Sequence, residues 1–155
     1  MKILVLGLGN PILRDDGVGI YIAREFQKRS LPNGVVVEES SLSGFLLMES
    51  LTGYDKAIIV DSIKTKGGKV GEIHRFGLEA LEETVHLTSV HHVNLATAIK
   101  FGEQMGLSMP KEVIIYAVEI ADNQTFSEGC TPLVLKAIPR AMRMVEKELL
   151  RITKG

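Results

Sequence analysis

The chain has 155 residues, a length that fits one domain with a full-sized core. Its formal net charge of −1 gives no reason to expect binding to nucleic acid or to an anionic membrane surface. The single cysteine excludes an internal disulfide and zinc sites built from cysteine pairs. Because no apolar run has membrane-spanning length and no signal-peptide cleavage site is present, we expect a cytoplasmic protein. We also expect a monomer, although no feature of the sequence decides the oligomeric state.

Apolar runs that predict strands alternate with segments of helical periodicity. The predicted strands cover residues 2–7, 35–39, 56–61, 72–76 and 112–119. The run over 72–76 alternates in polarity and is typical of a half-exposed edge strand. The predicted helices follow Asp16, lie within 43–53 with Ser43 as the cap, and cover 92–106 and 131–152.

This alternation predicts the fold class. We expect an α/β domain over residues 1–155, a three-layer α/β/α sandwich around a twisted, mostly parallel sheet of about five strands. Pro132 suits the first turn of the last helix, and Pro139 should kink that helix. In such folds, sites gather at the carboxyl ends of the strands.

The first strand enters a glycine-rich turn, "GLGNPILRDDGVG", over residues 7–19. Such a turn usually indicates a phosphate site, but the carboxylates of Asp15 and Asp16 would repel a phosphate. Ile12 also occupies the third glycine position of the dinucleotide fingerprint, which argues against a nucleotide cofactor. The nucleophile elbow and the zinc-protease helix motif are both absent from the sequence.

Three polar clusters follow predicted strands or open a predicted helix. These clusters are Asn10 with Asp15 and Asp16, then Asp61, and then "SVHHVN" over residues 89–94. If their loops share one edge of the sheet, two carboxylates and an imidazole converge there. Such a ligand set, with coordination positions left open, fits a divalent transition metal.

Each of these residues also has a structural interpretation. In this interpretation the only role of Asp16 would be to cap the first helix, and Asp15 would be exposed or would act as a cap. One of the two adjacent histidines would be solvated or structural. His74 and His86 receive no role, and we expect Cys130 to be structural because no partner base is visible.

Four stretches resemble one protein family in order and spacing. They are "GLGNPILRDDGVG", "IIVDS", "HHVNL" and "AVEIADNQTFSEGCTPLV", and together they span nearly the whole chain. They are similar to the [NiFe]-hydrogenase maturation endopeptidases, an aspartyl-type or metal-dependent class of peptide hydrolase. The resemblance implies an α/β/α, phosphorylase/hydrolase-like fold. It also implies removal of a C-terminal extension from the hydrogenase large-subunit precursor after nickel insertion.

The family's metal-binding trio falls on Asp16, Asp61 and His91 by resemblance, with His92 as the alternative to His91. The same three residues are the implied catalytic set. The first acid is commonly Glu in the family, and Asp shortens its reach by one methylene group. The resemblance implies that nickel arrives with the substrate, and other divalent metals could bind in vitro. The ion would polarise the scissile carbonyl, and Asn10 would orient a ligand or an oxyanion.

Two other functions compete with this hypothesis. A nickel-dependent binding or chaperone module would use the same trio and leave the mass of the precursor unchanged. Peptidyl-tRNA hydrolases share the opening Gly-Leu-Gly-Asn-Pro, but their catalytic histidine has no counterpart in "ILRDDGVGIYIARE". The chain also lacks the basic balance that tRNA binding requires.

Overall fold

The computed structural model describes residues 1–41, 45–80 and 90–154. Its sheet consists of β1 (Ile3–Leu8), β2 (Val35–Ser40), β3 (Lys56–Ile63), β4 (Ile73–Gly77) and β5 (Glu112–Glu119). Its helices include α1 (Val18–Gln27), α2 (Phe45–Leu51), α3 (Val90–Gln104) and α4 (Pro132–Lys154), and a short 3-10 turn (Arg14–Gly17) precedes α1. Within the described ranges, no helix is long and apolar enough to cross a membrane.

The five strands form one sheet in the order β2-β1-β3-β5-β4. All neighbouring pairs are parallel except β4 and β5, which are antiparallel. The predicted α/β class, the mostly parallel sheet and the edge position of the fourth strand are therefore confirmed. Pro132 is the first residue of α4, as predicted, and the helix remains continuous through Pro139. The predicted cap Ser43 lies outside the described residues.

The third strand is longer than the sequence predicts. It continues two residues beyond Asp61, because Asp61 pairs with Ala117 and Ile63 pairs with Glu119 on β5. Asp61 therefore lies inside a ladder and not at the end of a strand. Its backbone is held on the β5 side, which fixes the position of the carboxylate more firmly than a strand terminus would.

Two apolar clusters cover the two faces of the sheet. On one face, α1 and α4 pack through Val18, Ile22, Phe26, Val134, Ala141 and Val145 onto the β-strands. On the other face, α2 and α3 supply Leu47, Met48, Leu51, Leu95, Ala98 and Ile99. Strands buried on both faces explain why their sequences are continuously apolar instead of alternating. The molecule is thus a three-layer α/β/α sandwich, as predicted.

Candidate active site at the carboxyl edge of the sheet

The glycines of the opening turn allow close backbone contacts. A Cβ atom at Gly7 would lie 2.2 Å from the carbonyl oxygen of Gly19, so α1 can pack directly on β1 only if position 7 has no side chain. Gly9 has a φ of +145°, and a Cβ there would lie 2.1 Å from the carbonyl oxygen of Asp16. These glycines fold the chain back on itself and bring Asp16 to the carboxyl edge.

Asp16 lies in the 3-10 turn, half-buried, with its carboxylate fixed by hydrogen bonds. Its Oδ2 accepts the backbone N–H of Asn10 at 2.9 Å, and its Oδ1 accepts the hydroxyl of Ser62 at 3.1 Å. The N-cap of α1 is Gly17, and this helix has no side-chain capping bond. The capping interpretation of Asp16 is therefore wrong, because its side chain turns towards β3 instead.

Asn10 contributes through its backbone as well as its side chain. Its N–H holds Asp16, while its side-chain oxygen accepts the N–H of Ile12 at 3.2 Å within its own turn. The amide oxygen therefore stabilises the turn that presents Asp16. Its role towards an oxyanion stays a prediction.

Ser62 connects the two candidate carboxylates. Asp61 is fully buried, and its Oδ1 accepts the backbone N–H of Ser62 at 2.7 Å. The hydroxyl of Ser62, itself 4% exposed, donates to Asp16. Since side chains alternate along a strand, Ser62 faces the α1 layer and Asp61 faces the α2–α3 layer. The structure thus brings Asp16 and Asp61 to one end of the sheet, linked through a single serine.

Asp15 has a structural position that the sequence does not predict. The interpretation that it is exposed is wrong, because it is 0% exposed. Its carboxylate accepts backbone N–H groups of Ala121, Asp122 and Thr131 at 3.1, 3.0 and 2.7 Å, and the hydroxyl of Thr131 at 2.8 Å. Thr131 directly precedes α4. Asp15, which is distant in sequence, therefore caps the amino end of α4. It also connects the opening turn to the loop after β5.

The opening turn is braced on its other side by Arg14 and Tyr21. Arg14 has a φ of +48°, a left-handed conformation that is unfavourable for a residue with a side chain. Its backbone N–H donates to Ser127 at 3.0 Å. The hydroxyl of Tyr21 donates to the carbonyl of Pro11 at 2.7 Å and accepts the N–H of Gly129 at 2.8 Å. These contacts fix the turn that carries Asp16 against the loop over residues 120–131.

The third member of the predicted trio lies at the beginning of α3. This helix ends at the amino edge of the sheet, where Gly102 packs against Met109 and the N–H of Gly53 donates to Ser108. Because 15 helical residues span about 22 Å, the backbone of His91 lies towards the carboxyl edge, on the face that carries Asp61. The side chains of His91 and His92 fall outside the described part of the chain, as do those of residues 90–94 in general. The choice between them stays a prediction.

Metal binding by the trio is likewise left as a prediction. Among the side chains that the structure describes, no group of three His, Cys, Asp or Glu residues is placed to hold a metal ion. The side chain of His91, the predicted nitrogen ligand, is not among those described. The described portion of the candidate site is therefore its carboxylate half, Asp16 and Asp61 with Ser62 between them.

Cys130 is an inert thiol. It is 3% exposed, and burial together with the negative charge of Asp15 raises the pKa of its thiol to about 12. A nucleophilic cysteine needs a lowered pKa, so this residue is unsuited to attack a peptide bond. The environment agrees with the structural role that the sequence suggests.

Sequence reasoning overlooked Ser62 and the pair formed by Glu119 and His74. Glu119 is 1% exposed and accepts the ring Nε2 of His74 at 3.2 Å and the backbone N–H of Thr65 at 2.7 Å. It is the last residue of a buried strand, the same signal that singled out Asp61. That signal could have found Glu119, whereas the contact to His74 depends on the antiparallel register of β4, which the sequence does not reveal.

Comparison with known proteins finds similar chains among proteins that process hydrogenases. The family model described as hydrogenase maturation protease matches residues 20–148. The hydrogenase 2 maturation protease of Escherichia coli is 29% identical, over 94% of this chain and 88% of its own length. The coenzyme F420 hydrogenase subunit delta of Methanothermobacter thermautotrophicus is 28% identical, over 96% of this chain and 94% of its own length.

Solved structures of similar proteins have the same fold as this chain. The hydrogenase maturating endopeptidase HybD from E. coli superposes with a TM-score of 0.85 at 27% identity, covering 97% of this chain and 93% of that one. The [NiFe] hydrogenase maturation protease HybD from Thermococcus kodakarensis gives a TM-score of 0.76 at 21% identity, covering 96% and 99%. At the lower identity the similarity concerns the fold alone.

Proposed function

The chain belongs to the hydrogenase maturation proteases, a family of peptide hydrolases, and from that premise we propose that it removes the C-terminal extension of a [NiFe]-hydrogenase large-subunit precursor after nickel insertion. We further propose that Asp16, Asp61 and His91 recognise the nickel that the precursor carries. In this proposal the metal is part of the substrate, and the protein supplies ligands that a nickel-free precursor cannot engage.

The single observation that carries the proposal is the fixed pair of carboxylates. Asp16 and Asp61 reach the same edge of the sheet from two different elements, and Ser62 holds both. Two carboxylates at one edge of the sheet create a negative potential that attracts a cation. An approaching divalent cation would neutralise the pair, and an imidazole from α3 would add the nitrogen ligand that nickel favours.

The shorter side chain of Asp16, compared with the Glu common in the family, is compatible with this role. Ser62 and the N–H of Asn10 hold both of its oxygens at fixed positions. A rigid short carboxylate loses less conformational entropy on binding a ligand than a mobile long one. Nickel held by Asp16 and Asp61 would act on the precursor as a Lewis acid next to the scissile bond.

The test is trimming of a nickel-loaded precursor, followed by mass spectrometry. We expect Asp16→Ala, Asp61→Ala and His91→Ala to lose at least about a hundredfold in kcat/KM, because each removes a ligand of the metal. Asp55→Asn is the matched control, since that acid lies at the opposite edge and, among the described contacts, its carboxylate accepts a hydrogen bond only from the N–H of Lys2. Full activity in any member of the trio would remove that residue from the proposal.

Two further experiments distinguish His91 from His92 as the ligand, and a protease from a binding module. His92→Ala compared with His91→Ala decides which imidazole is the ligand. A precursor whose mass stays unchanged after incubation with the wild-type protein, although the two bind in a nickel-dependent way, would support a binding or chaperone module instead. A nickel-free precursor should remain uncut, because the proposed recognition requires the metal.

A further inference from the structure

The segment over residues 64–71, "KTKGGKVG", leaves β3 directly after the candidate site. We name it the lysine turn. It carries Lys64, Lys66 and Lys69, all exposed, and contains no acidic residue. Within the described ranges, none of the three lysines forms an ion pair. A net charge of +3 on eight residues contrasts with −1 for the whole chain.

A buried carboxylate fixes the lysine turn. Glu119, 1% exposed, accepts both the N–H and the hydroxyl of Thr65, and its backbone carbonyl accepts the N–H of Gly71 at 2.9 Å. A Cβ at Gly68 would lie 2.0 Å from Oε1 of Glu119, so the turn wraps the carboxylate as closely as a glycine allows. Burying a carboxylate is costly unless it is well bonded, and here its bonds hold a surface turn.

The turn is anchored to two further elements. Arg140 on α4 donates to the carbonyl of Gly71 at 3.1 Å, and His74 on β4 contacts the carboxylate of Glu119. The lysine side chains therefore project from a backbone that is fixed on several sides. Such pre-organisation lowers the entropic cost of binding a partner.

From this placement we propose that the lysine turn docks an acidic segment of the precursor protein beside the candidate active site, an inference that rests on the proposed function. Lys64 lies three residues beyond Asp61, so an acidic segment held there would adjoin the proposed nickel ligands. A positive turn at this edge of the sheet would offset part of the repulsion between an acidic partner and the carboxylates of Asp16 and Asp61. It would steer an acidic surface to the correct edge of the sheet.

The partner chemistry follows from how the turn uses its polar groups. The N–H groups of Thr65, Gly68 and Gly71 are engaged within the fold, which reduces the number of backbone donors that the turn could offer to a phosphate group. The charged groups that the turn presents to a partner are the three exposed lysine ammonium groups. Ammonium groups on long flexible stems suit carboxylates distributed along a protein surface.

The test is a triple variant, Lys64→Gln/Lys66→Gln/Lys69→Gln, compared with a matched control, Lys111→Gln/Lys147→Gln/Lys154→Gln. The control lysines are also exposed but lie towards the amino edge of the sheet, and the two triples have the same net charge. In trimming of the nickel-loaded precursor at low salt, we expect KM to rise about tenfold in the first triple, with kcat within about twofold. The difference should vanish near 0.5 M salt, where screening removes exposed ion pairs.

A second variant separates position from charge. Gly68→Ala keeps all three lysines but forces the turn away from Glu119, so KM should also rise. An unchanged KM in Gly68→Ala would overturn the claim that the turn presents the lysines in a fixed arrangement. Equal KM values in the two lysine triples would overturn the docking proposal and leave the proposed function intact.

A binding measurement keeps the inference testable even if no trimming occurs. Fluorescein-labelled hexaglutamate should bind the wild type and the control triple at low salt, and should bind the lysine-turn triple at least about tenfold more weakly. Hexaglutamine serves as the uncharged peptide. Equal hexaglutamate binding by both triples overturns the inference, as does tighter lysine-dependent binding of a single-stranded oligonucleotide. Absence of trimming by the wild type would count against the proposed function alone.

Discussion

The carboxylate of Asp15 binds the residue that begins the last helix: it accepts both the N–H of Thr131 at 2.7 Å and the Thr131 hydroxyl at 2.8 Å. These residues are 116 positions apart in the chain. Because the neighbouring Asp16 points to Ser62, the two adjacent acids face different partners. One acid stabilises the fold, and the other is positioned for the proposed chemistry.

This division predicts opposite behaviour for two adjacent substitutions. Asp15→Asn should destabilise the protein by about 2–4 kcal/mol, because an amide cannot accept the three backbone N–H groups and the hydroxyl that the buried carboxylate accepts. The midpoint of thermal unfolding should fall by roughly 5–12 °C. Asp16→Asn, the matched control, should unfold within about 3 °C of the wild type and lose trimming activity. Equal stability losses in the two variants would contradict this division.

Ser62 is predicted to act on activity by positioning Asp16. Ser62→Ala removes the hydroxyl that holds Oδ1 of Asp16, so kcat/KM for the nickel-loaded precursor should fall about three- to tenfold, the equivalent of one hydrogen bond. Ser62→Thr, which keeps a hydroxyl, should recover part of the loss. Ser50→Ala is the control, since the Ser50 hydroxyl binds a carbonyl of its own helix. A wild-type rate in Ser62→Ala would show that Asp16 does not need this bond.

The strands could be predicted from the sequence because they are buried on both faces. The range 112–119 is a continuous apolar run between charged ends, and β5 covers these same residues. The end of β3 was less accessible to sequence reasoning. Whether the chain remains in the ladder after Asp61 depends on the length of β5 beside it, which is a property of the pairing and not of the segment itself.

The candidate site was predictable to a similar extent. The acids of the opening turn were recognisable, but their partners were not, since a hydrogen bond between Asp15 and Thr131 spans most of the chain. The sequence therefore could not tell which acid would be buried. Ser62 was overlooked for the same reason: a serine after an acid carries no local signal, and its role appears only when the opening turn packs against β3.

Cys130 is predicted to be dispensable for catalysis. Burial and the charge of Asp15 raise the pKa of its thiol to about 12, so at pH 8 only about one molecule in ten thousand carries the reactive thiolate. Cys130→Ala should therefore keep the trimming rate within about twofold. Iodoacetamide should label the native protein far more slowly than the urea-unfolded protein. Rapid inactivation of the native enzyme by this reagent would contradict the prediction.

A second buried carboxylate joins three elements at the other end of the molecule. Glu148 on α4 is 4% exposed and accepts Nε of Arg75 at 2.8 Å, the hydroxyl of Tyr116 at 2.9 Å and Nε of Arg151. Burial opposes its ionisation, but these hydrogen bonds outweigh burial and hold the pKa of Glu148 below its ordinary value. Through Arg75 on β4 and Tyr116 on β5, Glu148 thus links the edge strand and its neighbour to the last helix.

The lowered pKa of Glu148 predicts a pH-dependent loss of stability. A carboxyl whose pKa is lower in the folded state stabilises the fold above its unfolded pKa, about 4.3, and loses this contribution as the pH falls through the folded value. Glu148→Gln should therefore lower the free energy of unfolding by about 1–3 kcal/mol at pH 7, measured in urea, and the difference from wild type should shrink between about pH 5 and pH 3. Glu146→Gln is the control on the same helix, because its exposed ion pair with Arg29 should contribute under about 1 kcal/mol. A difference between Glu148→Gln and wild type that stays constant down to pH 3 would show that the stabilising contacts do not depend on the charge of Glu148.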